Sequence, residues 1–329
     1  MEKEMKLINI FKLFLLLLSS SVFASSVHDV PVVNGHPGYI TAYETSPDGV
    51  WDKVLIVVNG FDSKNTSHPI DDINTRFQLI IDQLQPDGWD IVIFDYVRGD
   101  IDIKQNADNL ADFIQTLDSW AVPDYHLAVL GGSMGGIVTR TMFVQENSSM
   151  GVDTYVSLDS PHHGVYLSDW VKDLADVAID AVAGHQMLNG DPAYNTHYGW
   201  LQNVESSAGF MANIINPMNT LAIALSNGEN QWKVSWSQEA LHTRYHPVSS
   251  YVGSSNGQLH SDYMPYHSVV FMDNISVDRK VRWNRNYYWY KDTRTSYFDF
   301  KQVNLRDEHA APDYALKQAT DFVEMNGPN

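Results

Sequence analysis

Apolar and polar positions along the chain fall into short blocks that alternate between a strand-like and a helix-like period. Val54-Leu55-Ile56-Val57-Val58 is an unbroken, mostly β-branched run, the pattern of a strand buried on both faces. Asn59-Gly60-Phe61-Asp62 breaks it. From about residue 70 to 85 the apolar side chains Ile70, Ile73, Phe77, Ile80, Ile81 and Leu84 recur at helical spacing, and Pro86-Asp87-Gly88 then turns the chain. Trp89 to Phe94 reads as the next strand. Asn106 to Trp120 reads as a helix with Leu110, Phe113, Ile114 and Leu117 on one face. Pro123 precedes a strand from His126 to Leu130, followed by a helix from Gly135 to Asn147 and a strand from Asp153 to Leu158. Alternation on this scale predicts an α/β fold, a mostly parallel sheet with helices on both faces.

The pattern changes between about residues 165 and 240. Trp170 to Val182 and Trp200 to Ile215 are helical in spacing, with no clear strand between them, and the segment reads as a helical cap or lid inserted over the sheet. Leu167, Trp170, Leu174, Val177, Phe210, Met211, Ile214 and Ile215 are its apolar positions. They suit the wall of an acyl pocket and equally a stripe packed on the core. Strand patterns return at Val248 to Val252, Val269 to Phe271 and Tyr297 to Val303, and a helix from Asp313 to Met325 closes the chain. The aromatic stretch Trp283 to Tyr290 reads as strand packing ahead of a sugar-stacking surface.

The first 24 residues have a different character. Lys3, Lys6 and Lys12 lie in or before the apolar run Ile8 to Leu18, which ends in Ser19-Ser20-Ser21 and then Val22-Phe23-Ala24. Charge, apolar run and small residues in that order predict a signal peptide cut after Ala24. The run is short for a span of roughly 30 Å of hydrocarbon. The expected organisation is a signal peptide over residues 1–24 and a single domain over 25–329, secreted or periplasmic, with no stable membrane insertion.

Composition narrows the chemistry. The 329 residues contain no cysteine, which removes disulfides, thiolate nucleophiles and cysteine-bound metal clusters. Forty acidic side chains against 21 basic ones give a formal charge of -19. That balance opposes phosphate backbones, so no nucleic acid partner is expected, and any lipid contact would be apolar. Oligomeric state is left open.

Gly131-Gly132-Ser133-Met134-Gly135-Gly136 contains G-x-S-x-G between the strand-like Leu127-Ala128-Val129-Leu130 and the helix-like run from Ile137 to Val144. That is the setting of a nucleophile elbow, in which the serine occupies a tight turn and its flanking glycines relieve the crowding. The helix that follows directs its first N–H groups at the site, where an oxyanion can form.

With these residues the chain resembles the α/β-hydrolase superfamily, and within it bacterial secreted lipases and esterases. Three segments carry the resemblance: Val57-Val58-Asn59-Gly60-Phe61, the elbow, and Ser157-Leu158-Asp159-Ser160-Pro161-His162-His163-Gly164, which is similar to a T-P-H-x-G segment. It covers most of residues 50–164 and the C-terminal end. Asn59 stands where the family usually has histidine. The resemblance implies an α/β-hydrolase fold and a Ser-His-Asp triad acting through an acyl-enzyme, with no cofactor and no metal. Ser133 is the implied nucleophile. The order Ser, acid, His points to His309, on the loop after the last strand, with His267 and His260 as fallbacks. For the acid, Asp159 lies at the end of the strand after the elbow helix, Asp262 holds the commoner position one strand later, and others such as Asp273 remain. The implied oxyanion donors are the backbone N–H groups of Met134 and Phe61.

Other constellations are weaker. His162-His163, and His242 with His246, have no H-E-x-x-H context, so a structural role is the better reading. Asp71-Asp72 and Asp100-x-Asp102 could take calcium, but a solvated acidic surface is the default. The expected function is hydrolysis of carboxylic esters, small or lipid. A thioesterase, amidase or acyltransferase is the alternative, followed by a non-catalytic surface-binding module on the same scaffold.

Overall fold

The computed structural model describes residues 26–29, 38–61, 72, 75–162, 181–188, 191–225, 258–259, 275–276, 290–291, 300–304 and 313–328. A nine-stranded sheet organises them. In chain order its strands are β1 (Ser26–Asp29), β2 (Tyr39–Glu44), β3 (Lys53–Val58), β4 (Asp90–Tyr96), β5 (His126–Gly132), β6 (Val152–Leu158), β7 (Asn219–Leu225), β10 (Tyr290–Lys291) and β11 (Phe300–Asn304). A separate antiparallel pair joins β8 (Gln258–Leu259) to β9 (Ile275–Ser276). The spatial order is β1-β2-β4-β3-β5-β6-β7-β11-β10. Every pairing from β4 to β11 is parallel. The β1–β2, β2–β4 and β10–β11 pairings are antiparallel.

Alternate side chains of the central strands enter two separate cores, as a period of two requires. Val54, Ile56 and Val58 of β3 join Val92 and Phe94 of β4 and Leu127 and Val129 of β5 on one face. The helices α2 (Ile103–Leu117) and α3 (Met134–Glu146) cover that face. Leu55, Val57, Ile91, Ile93, Ala128 and Leu130 point the other way. There they meet α1 (Gln78–Leu84) and the closing helix α6 (Asp313–Asn326). Burial of both faces explains the continuous apolar runs within β3, β4 and β5.

Two parts of the sheet differ from expectation. β2 has only alternating, moderately apolar residues, yet it pairs along its whole length with β4, with Thr41 and Ala42 buried. β7 lies inside the range read as helical and pairs in parallel with β6. The helical insertion therefore ends before Asn219. Of the range read as that insertion, residues 165–180, with Leu167, Trp170, Leu174 and Val177, and residues 226–240 lie outside the described residues, as do residues 1–24, read as a signal peptide, and the strands expected at Val248 to Val252 and Val269 to Phe271.

The described part of the insertion holds α4 (Val182–Met187), α5 (Pro192–Glu205) and a short helical segment up to Ile215. Its apolar residues Phe210, Ile214 and Ile215 are buried in the core that α3 covers. Polar contacts fix it further. Gln186 accepts a hydrogen bond from the Ile103 N–H at 2.8 Å and donates to Asp102 at 2.9 Å, so α4 caps the start of α2. The Lys104 ammonium sits 3.7 Å above the Trp200 ring. Arg140 of α3 and Glu205 of α5 form a buried, two-pronged ion pair, with Nε donating to Oε1 at 2.6 Å. Beside it the Thr141 hydroxyl and His197 Nε2 lie 3.2 Å apart, and burial pushes the His197 imidazole down to about 4.

Breaking that ion pair from one side leaves a buried charge without its counter-charge. Glu205→Leu should lower unfolding free energy by about 3–5 kcal/mol in chemical denaturation, and adding Arg140→Met should recover most of the loss. A second expectation concerns Asp90, the buried first residue of β4, whose Oδ1 accepts the Ser46 N–H at 2.8 Å. Desolvation raises its carboxyl to about 7, against the Ser46 bond and with help from Asp48 and Asp52. An acid whose folded pKa lies above its unfolded value destabilises the fold as pH rises from about 4 through about 7. Asp90→Asn should therefore raise the melting midpoint at pH 8, on the order of 3 °C or more, with the gain shrinking at pH 5. Thermal denaturation at both pH values checks this.

Candidate active site

Ser133 is the hinge between β5 and α3, with φ 51° and ψ -121°. Positive φ is costly for a residue with a Cβ, and its cause here is steric. A Cβ at Gly131 would stand 2.6 Å from the Cα of Gly136, and one at Gly135 would collide with the carbonyl oxygens of Val58 and Asn59. The elbow thus turns in a space closed to side chains on either side of the serine. Ser133 N–H donates to Leu158 O at 2.9 Å, the Tyr155 hydroxyl donates to Gly136 O at 2.7 Å, and the Ser160 hydroxyl reaches Gly131 O at 3.3 Å. β6 and the residues after it hold the turn from below.

The half-buried Ser133 is also the N-cap of α3, yet its side chain makes no capping hydrogen bond. A capping serine normally accepts the N2 or N3 N–H. Here the turn geometry leaves the hydroxyl available. Buried Met134 opens α3, where an N–H has no acceptor within the helix.

A second loop reaches the same place. β3 ends at Val58, and a Cβ on Gly60 would lie 3.2 Å from Ser133 Cβ and 3.7 Å from its Oγ. Half-buried Phe61 follows and packs against the core on the α3 side. The preceding Asn59 is buried. Its side-chain amide donates to Asp72 at 2.9 Å and to Asp95 at 3.1 Å. Asp95 also accepts the Tyr96 N–H at 2.8 Å.

Asp159 directly follows β6. It is buried, has φ 49°, and its N–H donates to Ile223 O of β7 at 2.7 Å. Because Leu158 O accepts from Ser133, nucleophile and acid candidates flank one hydrogen-bonded junction at the carboxyl ends of parallel strands, where open α/β sheets bind ligands. His309, in the connection between β11 and α6, lies outside the described residues, as do Asp262, Asp273, His260 and His267. Burial of His162 fits the structural reading of that residue: its Nε2 lies 2.9 Å from Ser157 Oγ beneath the elbow. Of the aspartates considered for calcium, Asp71 lies outside the described residues and the other three have partners. Asp100 takes Arg98 at 2.6 and 2.7 Å, Asp102 caps α2 by accepting the Lys104 N–H at 2.9 Å, and Asp72 takes Asn59. Among the described residues no group of three His, Asp or Glu side chains is arranged to hold a metal ion.

The partners of Asn59 were not readable from the sequence. Asp72 and Asp95 are 13 and 36 positions away, and neither carries a motif. The one available signal was Asn59 itself, standing where a histidine was expected.

A mostly parallel sheet with an antiparallel leading edge, helices on both faces and a strained serine between β5 and α3 make this an α/β-hydrolase fold. A family model for the PGAP1-like alpha/beta domain matches residues 102–188. No curated protein matches the chain by sequence. Among solved structures it is similar to the mature Bacillus licheniformis lipase BlEst2, with 18% identity over 62% of this chain and 72% of that one, at a TM-score of 0.35. It is also similar to Est1E from Butyrivibrio proteoclasticus, with 12% identity over 61% and 77% and a TM-score of 0.36. A carboxyl esterase from Bacillus coagulans gives 13% identity over 63% and 81%, with a TM-score of 0.38.

The glycines of the elbow should differ sharply in tolerance. Gly135→Ala drives a methyl group into two carbonyl oxygens and should leave little folded protein. Gly132→Ala, whose Cβ would meet only Val58 O at 4.0 Å, should keep the fold. Circular dichroism and melting curves of the two variants make the comparison.

Proposed function

We propose that the chain is an exported serine hydrolase that cleaves carboxylic esters through an acyl-enzyme. The observation that carries this reading is Ser133: a serine in a strained strand-to-helix turn, half-buried, with no capping bond to occupy its hydroxyl. A structural N-cap would use its oxygen to stabilise the helix.

In the proposed mechanism His309 takes the Ser133 proton as Oγ attacks the acyl carbonyl. Asp159 orients the imidazole and stabilises its charged form; Asp262 is the alternative acid. The tetrahedral intermediate places its oxygen between the N–H groups of Met134 and Phe61, and the proximity of Gly60 to Ser133 supports that pairing. His309 then protonates the leaving group, and water repeats the sequence to release the acid. The reaction as written needs no cofactor. Export follows from the charged, apolar, small-residue order of residues 1–24. Hydrolysis of a thioester or amide, or transfer to another acceptor, would use the same groups.

Turnover of a p-nitrophenyl ester series tests the reading. Ser133→Ala and His309→Ala should each lose at least about 10⁴-fold in kcat, and Asp159→Asn a comparable factor. Ester turnover that persists in Ser133→Ala refutes the proposal. Full activity in Asp159→Asn beside an inactive Asp262→Asn moves the acid to Asp262.

A further inference from the structure

Asn59 makes four hydrogen bonds that point in different directions. Its N–H donates to Phe94 O at 3.0 Å, and its carbonyl accepts the Tyr96 hydroxyl at 3.0 Å. The two protons of its amide go to Asp72 Oδ2 and Asp95 Oδ2. Backbone and side chain of this one residue are therefore tied to the end of β4 and to Asp72. The next residue is Gly60, packed beside Ser133 Cβ, and the one after is Phe61. With the Asn59 carbonyl held by Tyr96, the plane of the Asn59–Gly60 peptide is set, and the direction of the Phe61 N–H depends on it.

We propose that Tyr96 and Asp95, assisted by Asp72, are positioning residues that hold the oxyanion loop in register with the nucleophile through Asn59. The inference rests on the assignment of Ser133 and the Phe61 N–H given above. Two carboxylates can only accept, so the nitrogen of the Asn59 amide must face them, and an uncharged amide supplies one N–H to each. A neutral imidazole at this position has a single N–H and would satisfy both carboxylates only when protonated. Asparagine here thus makes the clamp without adding a charge. Hydrogen bonds to carboxylates are roughly twice as strong as neutral ones, and the burial of Asn59, Asp95 and Tyr96 shields this set from competing water. Tyr96 itself is held neutral, because burial and the neighbouring Asp95 raise its hydroxyl well above its ordinary value, so it remains a donor. An oxyanion donor is useful only where the charge forms, and a misplacement of about 1 Å costs on the order of 100-fold in rate.

The test compares Tyr96→Phe, Asp95→Ala and Asp95→Asn with wild type and Ser133→Ala, using p-nitrophenyl butyrate turnover and thermal melting. Tyr96→Phe removes one hydroxyl and should lower kcat on the order of 10-fold with KM changed less than about twofold. Asp95→Ala should cost on the order of 100-fold in kcat. Asp95→Asn keeps one of the two acceptor oxygens, so it can hold either the Asn59 amide or the Tyr96 N–H, and its kcat should fall between those of wild type and Asp95→Ala. A merely structural role would lower melting temperatures and leave kcat of the folded fraction intact. Wild-type kcat in Tyr96→Phe, or equal losses in Asp95→Asn and Asp95→Ala, overturns the proposal while an inactive Ser133→Ala still upholds the catalytic reading. Should Asp95→Ala fail to fold, Tyr96→Phe decides alone. Turnover in Ser133→Ala defeats the catalytic reading, and this inference with it.

Discussion

Between the end of β3 and the start of α3 the backbone comes so close to itself that no side chain fits. Gly135 faces the carbonyl oxygens of Val58 and Asn59, Gly131 faces Gly136, and Gly60 touches Ser133. This contact couples two chain segments that are far apart in sequence. It forces Ser133 into positive φ and brings the loop after β3 beside its hydroxyl. Strain of this kind costs on the order of 1–3 kcal/mol and persists only where the surroundings over-determine it. Here they do: β5 and β3 pair in parallel up to the elbow, β6 accepts the Ser133 N–H, and Tyr155 and Ser160 hold the glycine carbonyls.

The same logic extends outward. α3 carries the first N–H groups aimed at the site, so its position matters, and it is wedged between the sheet and α5. Arg140 is an unexpected residue for the middle of so buried a helix, and Glu205 supplies its counter-charge from α5. His197 stays neutral beside it because burial disfavours the imidazolium. Gln186 bonds to the first turn of α2 in the same way. The described part of the insertion is thus bound to the two helices that cover the site's face of the sheet, by an ion pair, amide contacts and apolar burial together.

How far the sequence carried the reading depends on the range of each signal. The runs of β3, β4, β5 and β6 and the stripe of α2 were readable, because burial on two faces or on one helix face writes itself into consecutive residues. The elbow was readable because its glycines and serine are adjacent. β7 was not: Asn219-Thr220-Leu221-Ala222 begins with polar residues and follows a long helical stretch, and only its pairing with β6 makes it a strand. β2 owes its place to β4 in the same way. The Asn59 clamp and the Arg140–Glu205 pair join residues separated by 13 to 65 positions, with no local pattern to announce them. A lone arginine in an apolar helix and an asparagine where histidine was expected were the only marks they left.

An α/β-hydrolase fold can host many chemistries, so function has to be argued from the site. The central claim is that Ser133 is a nucleophile and not a helix cap. Mass spectrometry after treatment with a fluorophosphonate tests it most directly, by locating the adduct on the chain. One phosphonyl group per molecule is expected, on the peptide that contains Ser133, with none on the Ser133→Ala variant. An adduct on a different serine, or labelling that survives Ser133→Ala, would contradict it.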